Sequence, residues 1–133
     1  QFFKIECNHR KKEKKIFNQI QIWEPRRPRF NGANGIYDAP RNILEAIPGV
    51  KLTEMERIRE YSWCCGAGSI CNESNPEFSS WTAGERIAEA NATGADAMVT
   101  ACPWCKDNFD KAEDEDGNKI DVVDIIELVQ KAL

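Results

Sequence analysis

The chain has 133 residues, 41% of them hydrophobic, and a formal net charge of −4. This length suits a single domain with one core. No apolar run approaches the roughly 20 residues that a membrane-spanning helix needs, so we expect any membrane association to run through another protein. Residues 1–30 carry nine Lys or Arg against three Glu. Because the basic run from Arg10 to Lys15 has no interleaved aromatic residues, we interpret it as a solvated tail and expect no nucleic-acid partner.

The first half of the chain predicts two strands and one helix. Ile16 to Trp23 alternates loosely between apolar and polar residues, which is typical of a strand. Asp38 is placed to cap a helix that ends at Pro48-Gly49. Val50 to Met55 alternates again and predicts a strand that leads to Cys64-Cys65.

The second half predicts two further strands and three helices. These are a helix from Ser79 to Thr93 with a capping box at Thr82-Ala83-Gly84-Glu85, a strand from Ala97 to Ala101, a helix from Pro103 to Ala112, a strand from Ile120 to Val123 and a helix from Ile125 to Leu133. Strands that alternate with helices indicate an α/β fold, with a small and mainly parallel sheet and flanking helices in a Rossmann-like layer. Sites in such sheets lie at the carboxyl ends of the strands.

The six cysteines include two tight pairs, Cys64-Cys65 and Cys102-x-x-Cys105. Thiolates bind soft metals, and iron clusters are held by several of them. The free N–H groups and positive dipole end of a helix N-terminus favour the sulfur anions of the second pair. Two adjacent cysteines can face one centre only at a turn, which Gly66 permits. A multi-iron cluster accepts ligands over a wider spread than one tetrahedral zinc ion does, so we interpret Cys64, Cys65, Cys102 and Cys105 as cluster ligands.

Two other chemistries compete for the same thiols. The four cysteines could hold a structural zinc ion. Alternatively, Cys102 and Cys105 could act as a thioredoxin-like dithiol, because a Cys-Pro-Trp-Cys segment between a strand and a helix suits a lowered thiol pKa. A thioredoxin, however, carries this motif early in the chain and has no use for Cys64-Cys65. Cysteine pairs with ligand spacing favour a reducing, cytoplasmic setting over a secreted disulfide scaffold.

Other residues near the pairs have simpler interpretations. Cys7 and Cys71 lie outside both pairs, where a free buried cysteine is the plainer expectation. Four aromatic residues flank the pairs and are expected to pack in the core: Phe78, Trp81, Trp104 and Phe109. The functional alternative is that Trp63 and Trp104 exclude water from a cluster and tune its potential.

The residues around both pairs resemble a known family. Cys64-Cys65-Gly66-Ala67-Gly68 and Ala101-Cys102-Pro103-Trp104-Cys105 are similar to two segments of the cysteine-rich CCG domain of heterodisulfide reductase catalytic subunits and related anaerobic iron–sulfur oxidoreductases. The similarity extends to Gly35–Arg41, Ile47–Val50, Trp81–Arg86, Gly94–Asp96 and Asp124–Leu128, so it covers roughly the last 100 residues on motif spacing. We therefore expect residues 1–22 to be a basic N-terminal extension that holds the start of a first strand, and residues 23–133 to be the CCG-type domain.

The resemblance also implies a function. In this family the domain holds a noncubane 4Fe–4S cluster at which a disulfide is cleaved or electrons are passed on. The resemblance implies an iron–sulfur oxidoreductase, working within a larger complex, that exchanges electrons with a thiol or disulfide substrate or with subunits carrying iron–sulfur clusters or flavin. The chain departs from the family at Arg26, where relatives have a further cysteine. Because a guanidinium cannot ligate iron, a fifth thiolate would have to come from Cys71 or Cys7.

Overall fold

The computed structural model of the chain describes residues 20–23, 36–114 and 116–133. Its centre is a sheet of three parallel strands in the order β1-β2-β3, formed by β1 Ile20–Trp23, β2 Ala97–Thr100 and β3 Asp121–Asp124. All four residues of β2 are buried, as is typical of a parallel strand covered on both faces. The predicted α/β fold with a parallel sheet is confirmed.

Five helices accompany the sheet within the described residues. They are α1 Asp38–Glu45, α2 Cys71–Ser74, α3 Pro76–Ala92, α4 Pro103–Lys111 and α5 Ile125–Ala132, and two short 3-10 turns lie at Arg59–Tyr61 and Gly68–Ile70. The helices predicted after β2 and β3 agree with α4 and α5 to within one residue at each end. In the part of the chain that is described, no helix has both the length and the apolar character needed to cross a membrane.

The sheet separates two apolar clusters. Met98 of β2 packs on one face with α3 and α4, whereas Ala97 and Val99 pack on the other face with α1 and α5. The α3 face, which we call the α3-side core, contains Met55, Cys65, Ala67, Ala83, Ile87, Ala90, Met98, Cys105, Phe109, Ala112 and Val122. The α1 face, which we call the α1-side core, contains Leu44, Ala97, Val99, Val123 and Leu128. Since the α3-side core includes two of the paired cysteines, the thiols are continuous with the apolar interior.

The start of α3 differs from the prediction. The helix begins at Pro76, where a proline needs no partner for its missing N–H, and the side-chain oxygen of Asn75 accepts a hydrogen bond from the Phe78 backbone N–H at 3.3 Å. Thr82, which the sequence suggested as the cap, lies inside the helix and donates its hydroxyl to the Phe78 carbonyl at 2.8 Å. The Asn75 cap therefore prevails over the later capping box.

The start of α1 is also different. The helix already includes Asp38, and no side chain caps its N-terminus. The Asp38 carboxylate instead accepts a hydrogen bond from the Arg59 guanidinium at 2.7 Å. Asp38 thus connects α1 to the segment that precedes the first cysteine pair.

The strand predicted from Val50 to Met55 is wrong. This segment is irregular apart from an isolated bridge at Leu52. Its alternating apolar residues pack in two separate places, because the buried Met55 belongs to the α3-side core whereas the half-buried Val50 and Leu52 pack against the α1-side core. The alternation of apolar and polar residues therefore belongs to a segment that passes from one side of the sheet to the other, and not to a strand.

Candidate metal centre

The second cysteine arm, residues 102–105, is built by local hydrogen bonds. β2 ends at Thr100, whose hydroxyl oxygen accepts a hydrogen bond from the Cys102 N–H at 3.2 Å. Cys102 is the N-cap residue of α4, and its carbonyl accepts from the Cys105 N–H at 3.1 Å and the Lys106 N–H at 3.0 Å. The predicted strand–loop–helix corner is confirmed, and it places both thiols in the first turn of a helix, where the dipole favours sulfur anions.

The first cysteine arm, residues 64–68, is built by tertiary contacts. It follows the 3-10 turn at Arg59–Tyr61 and an extended Ser62, so the prediction that it follows a strand is wrong. Gly66 has a φ of +88°, and a Cβ at this position would lie 2.8 Å from the Ser79 carbonyl oxygen and 3.0 Å from the Thr82 Cβ. The arm therefore lies directly on α3, and only a glycine allows both the turn and the close approach.

The structure brings the four paired thiols together. Cys65 and Cys105 are buried, with exposed fractions of 2% and 3%, whereas Cys64 and Cys102 are half-buried at the edge of the α3-side core. Cys65 is hydrogen-bonded to Cys105 and Cys64, and Cys105 is also hydrogen-bonded to Cys102. Two segments nearly 40 residues apart in the sequence thus bring their sulfur atoms together. The group of sulfur atoms adjoins the core on one side and the protein surface on the other.

These contacts keep the inner thiols protonated. Donation to Cys105, together with burial, raises the pKa of the Cys65 thiol to about 12. The hydrogen bond from Cys65 acts to lower the pKa of Cys105, but burial and the contact with Cys102 outweigh it, so that this pKa is raised as well. Metal ligation would have to displace these protons, because thiolate is the binding form.

The donor set is suited to an iron–sulfur group. All four side chains offer soft sulfur, and clusters of iron are held by such thiolates. Among the described residues, no three His, Cys, Asp or Glu side chains are set out around the position of a single metal ion. The sulfurs are instead linked in a row by the hydrogen bonds of Cys64, Cys65, Cys105 and Cys102.

A residue that sequence analysis missed connects the two arms. Asn108 is 9% exposed, and its side-chain N–H donates to the Cys65 carbonyl at 2.7 Å. Its side-chain oxygen accepts from the Ser79 hydroxyl at 3.2 Å. Asn108 lies one turn after Cys105 on α4, which was the only available signal in the sequence.

A buried polar network supports the segment before the first arm. Arg86 of α3 is 1% exposed and forms an ion pair with Glu89, and it donates to the Arg57 carbonyl at 3.3 Å. Burial lowers the pKa of the Arg86 guanidinium, and the Glu89 carboxylate opposes this effect. Glu89 also accepts from the Arg57 N–H at 2.6 Å, and the Arg57 guanidinium lies 3.6 Å above the Trp63 ring, next to Cys64. This network fixes the residues that lead into the site.

The flanking aromatic residues are mostly exposed. Phe109 lies in the α3-side core as expected, but the expectation of core packing is wrong for Phe78, Trp81 and Trp104. Trp104, between the two thiols of the second arm, is 64% exposed. The role of Trp63 and Trp104 in excluding water from a cluster stays a prediction.

The remaining candidates lie elsewhere. Cys71 is half-buried at the start of α2 and follows Ile70, which has a left-handed φ of 62°. Its role as a further ligand stays a prediction. Cys7 and Arg26 lie outside the described residues.

Comparisons with known proteins agree with the resemblance. The profile of the CCG cysteine-rich domain matches residues 28–110. The chain is 44% identical over 101 residues to a subunit of the dihydromethanophenazine:CoB–CoM heterodisulfide reductase of Methanosarcina mazei, which covers 74% of this chain and 24% of that protein. It is 36% identical over 104 residues to a probable iron–sulfur-binding oxidoreductase of Bacillus subtilis, covering 75% and 14% of the two chains. It is 31% identical over 99 residues to a subunit of the fumarate reductase (CoM/CoB) of Methanothermobacter marburgensis, covering 74% and 20%.

These relatives are much longer than the chain, which spans about a quarter of the length of the heterodisulfide reductase protein. No solved structure matches it. The names of the relatives are those of iron–sulfur proteins and of subunits of redox complexes. The matched range contains both cysteine arms and extends over more than half of the chain. The chain therefore belongs to the CCG cysteine-rich domain family.

Proposed function

We propose that the chain is the iron–sulfur redox domain of a heterodisulfide reductase-like oxidoreductase, in which Cys64, Cys65, Cys102 and Cys105 hold a 4Fe–4S cluster. The observation that carries the proposal is the contact between thiols from two distant segments at the surface end of the α3-side core. The relatives named above add that such domains occur in redox subunits of larger complexes. The thiol contacts of Cys65 also favour a four-thiol site over a dithiol site, which would leave Cys65 without a role.

The residues around the four thiols would have distinct tasks in this function. A bound cluster would supply one-electron transfer. The buried Cys65 and Cys105 would hold its inner side, while the half-buried Cys64 and Cys102 would hold the side that faces a partner. The Ala67 backbone N–H donates to the Cys65 sulfur, and hydrogen bonds of this kind set the reduction potential of a cluster. The electrons would pass to or from a thiol or disulfide substrate or a partner subunit.

The test is reconstitution of the protein with iron and sulfide in the absence of oxygen. We expect iron and sulfide to bind in a cluster ratio, with a brown absorption that bleaches on reduction. Serine substitution of Cys65, Cys102 or Cys105 should abolish this binding, while the matched variant Cys71→Ser should keep most of it. Stoichiometric zinc without sulfide would replace the proposal with a structural zinc site. Disulfide reduction by a metal-free Cys65→Ser protein would replace it with a dithiol enzyme.

The identity of the residue at position 26 leads to a finer proposal about the cluster. Relatives with a noncubane cluster are expected to use a further cysteine where this chain has Arg26. We propose that the site is either altered, with an ordinary four-thiolate cluster, or incomplete and easily lost, and that the positive charge of Arg26 stabilises an anionic cluster or substrate thiolate. Arg26→Cys should therefore raise iron retention and change the spectrum of the reconstituted protein. Identical iron content and spectra in the native chain and the variant would show that the native site is already complete.

A further inference from the structure

The side-chain amide of Asn108 uses its hydrogen-bonding groups at one buried junction. Its N–H groups donate to the Cys65 carbonyl at 2.7 Å and more weakly to the Ser79 carbonyl at 3.4 Å. Its oxygen accepts from the Ser79 hydroxyl at 3.2 Å, and Ser79 is 1% exposed. A buried amide that is satisfied on both sides is rigid, because any shift would leave polar groups without partners.

The junction joins the three segments that determine where the thiols lie. Asn108 and Cys105 are three residues apart on α4, so they share one face of the helix. The Cys65 carbonyl precedes Gly66, whose backbone lies against Ser79 of α3. The amide therefore spans the gap between α4 and the first cysteine arm and reaches the backbone carbonyl of Cys65 itself.

We infer that Asn108 is a positioning residue of the metal centre, which fixes the separation of the Cys65 and Cys105 sulfurs by holding the Cys65 carbonyl. The inference rests on the proposed function, because it assigns a residue to the same site. Asn108 does not ligate the cluster in this scheme. It acts through the backbone of a ligand, as hydrogen-bonded partners of metal ligands do in other sites.

The isosteric variant Asn108→Asp separates positioning from packing. It keeps the shape and the acceptor for the Ser79 hydroxyl, but it loses the donor and sets a carboxylate oxygen against the Cys65 carbonyl. We expect the reconstituted variant to lose iron to a chelator about 10- to 100-fold faster than the native chain, which is the usual effect of removing such a partner. Its midpoint potential should be lower, because negative charge near a cluster disfavours reduction.

Two matched variants serve as controls. Ser79→Ala removes the other hydrogen bond of the junction but adds no charge and leaves the Cys65 contact, so it should speed iron loss less than Asn108→Asp does and leave the potential close to that of the native chain. Asn91→Asp makes the same amide-to-acid change at a half-buried position on α3, where the amide donates to Asp114 at 3.0 Å. It should lower the stability of the fold without changing the midpoint potential.

A further variant tests the same position more mildly. Asn108→Ser leaves room for a water at the Cys65 carbonyl and provides a milder, folded version of the test.

The outcomes distinguish the inference from the proposed function. Faster iron loss and a lower potential in Asn108→Asp, with an intermediate loss in Asn108→Ser, would support the positioning role. Native rates of iron loss and a native potential in both folded variants would overturn it and leave Asn108 as a core hydrogen bond. Failure of the native chain itself to bind iron and sulfide would overturn the proposed function, and this inference with it.

Discussion

The substitution Gly66→Ala gives the most specific prediction, because it should lower the free energy of unfolding for two separate reasons. Its φ of +88° belongs to the left-handed region, which a residue with a Cβ occupies at a cost of roughly 1–2 kcal/mol. A Cβ there would also lie 2.8 Å from the Ser79 carbonyl oxygen, a backbone atom that cannot move aside without shifting α3. Such overpacking costs roughly 1–3 kcal/mol. Together, Gly66→Ala should lower the free energy of unfolding by about 2–5 kcal/mol.

Gly94 offers a matched control for the backbone term alone. Its φ is +71°, and a Cβ there would meet nothing within 4 Å. Gly94→Ala should therefore cost only about 1–2 kcal/mol. Urea denaturation of the metal-free proteins under reducing conditions measures both values. Gly66→Ala should also bind less iron and sulfide, because the first cysteine arm is lifted from α3, whereas Gly94→Ala should bind a native amount. Equal losses of stability and native iron binding in both variants would refute the proposed contact between the arm and α3.

Three further predictions concern other contacts. Glu89→Gln leaves the buried Arg86 guanidinium without its carboxylate, so the free energy of unfolding in urea should fall by about 3 kcal/mol, and a loss below about 1 kcal/mol would show that the pair is not needed. Ile70 is exposed with a φ of 62°, and Ile70→Asn should raise the same free energy by about 1 kcal/mol; no gain would mean that the backbone is not strained. Partial desolvation acts to raise the pKa of the Asp114 carboxyl, but hydrogen bonds from Asn118 and its neighbours outweigh it and lower this pKa below 3.8. The ionised carboxyl therefore stabilises the fold above pH 3.8, and this contribution is lost as the pH falls through the folded-state pKa. The loss of stability caused by Asp114→Asn at neutral pH should therefore become smaller in acid. A loss of stability that does not change with pH would contradict the lowered pKa.

The elements that were predicted correctly carry their information locally. β2 is a short run of buried residues, and Pro103 marks the first position of α4 directly after Cys102. Asp124 gives the same kind of signal for α5, because its carboxylate accepts from the Ile126 N–H at 2.7 Å. When the contacts that define an element lie within a few residues of one another, the element can be predicted from the local sequence without knowledge of the rest of the chain.

One incorrect prediction and two missed residues lie where tertiary contacts decide the conformation. Val50, Leu52 and Met55 alternate as in a strand, yet they belong to opposite sides of the sheet, which no period in the sequence reveals. Asn108 has no motif, because its role follows from the distance between α4 and the Cys65 carbonyl. The buried Arg86 resembles an ordinary charged helix residue until Glu89 and the Arg57 carbonyl are seen around it.

The two cysteine arms therefore differ in the origin of their rigidity. The second arm is held by hydrogen bonds between near neighbours, from Thr100 to Lys106, and it would keep its shape wherever β2 and α4 form. The first arm has no regular secondary structure and depends on Gly66 at α3 and on Asn108 at α4. A metal group that ligates both arms would supply the covalent connection that the first arm lacks, so its binding energy would also stabilise the fold. This makes cluster assembly and the docking of the first arm one coupled equilibrium.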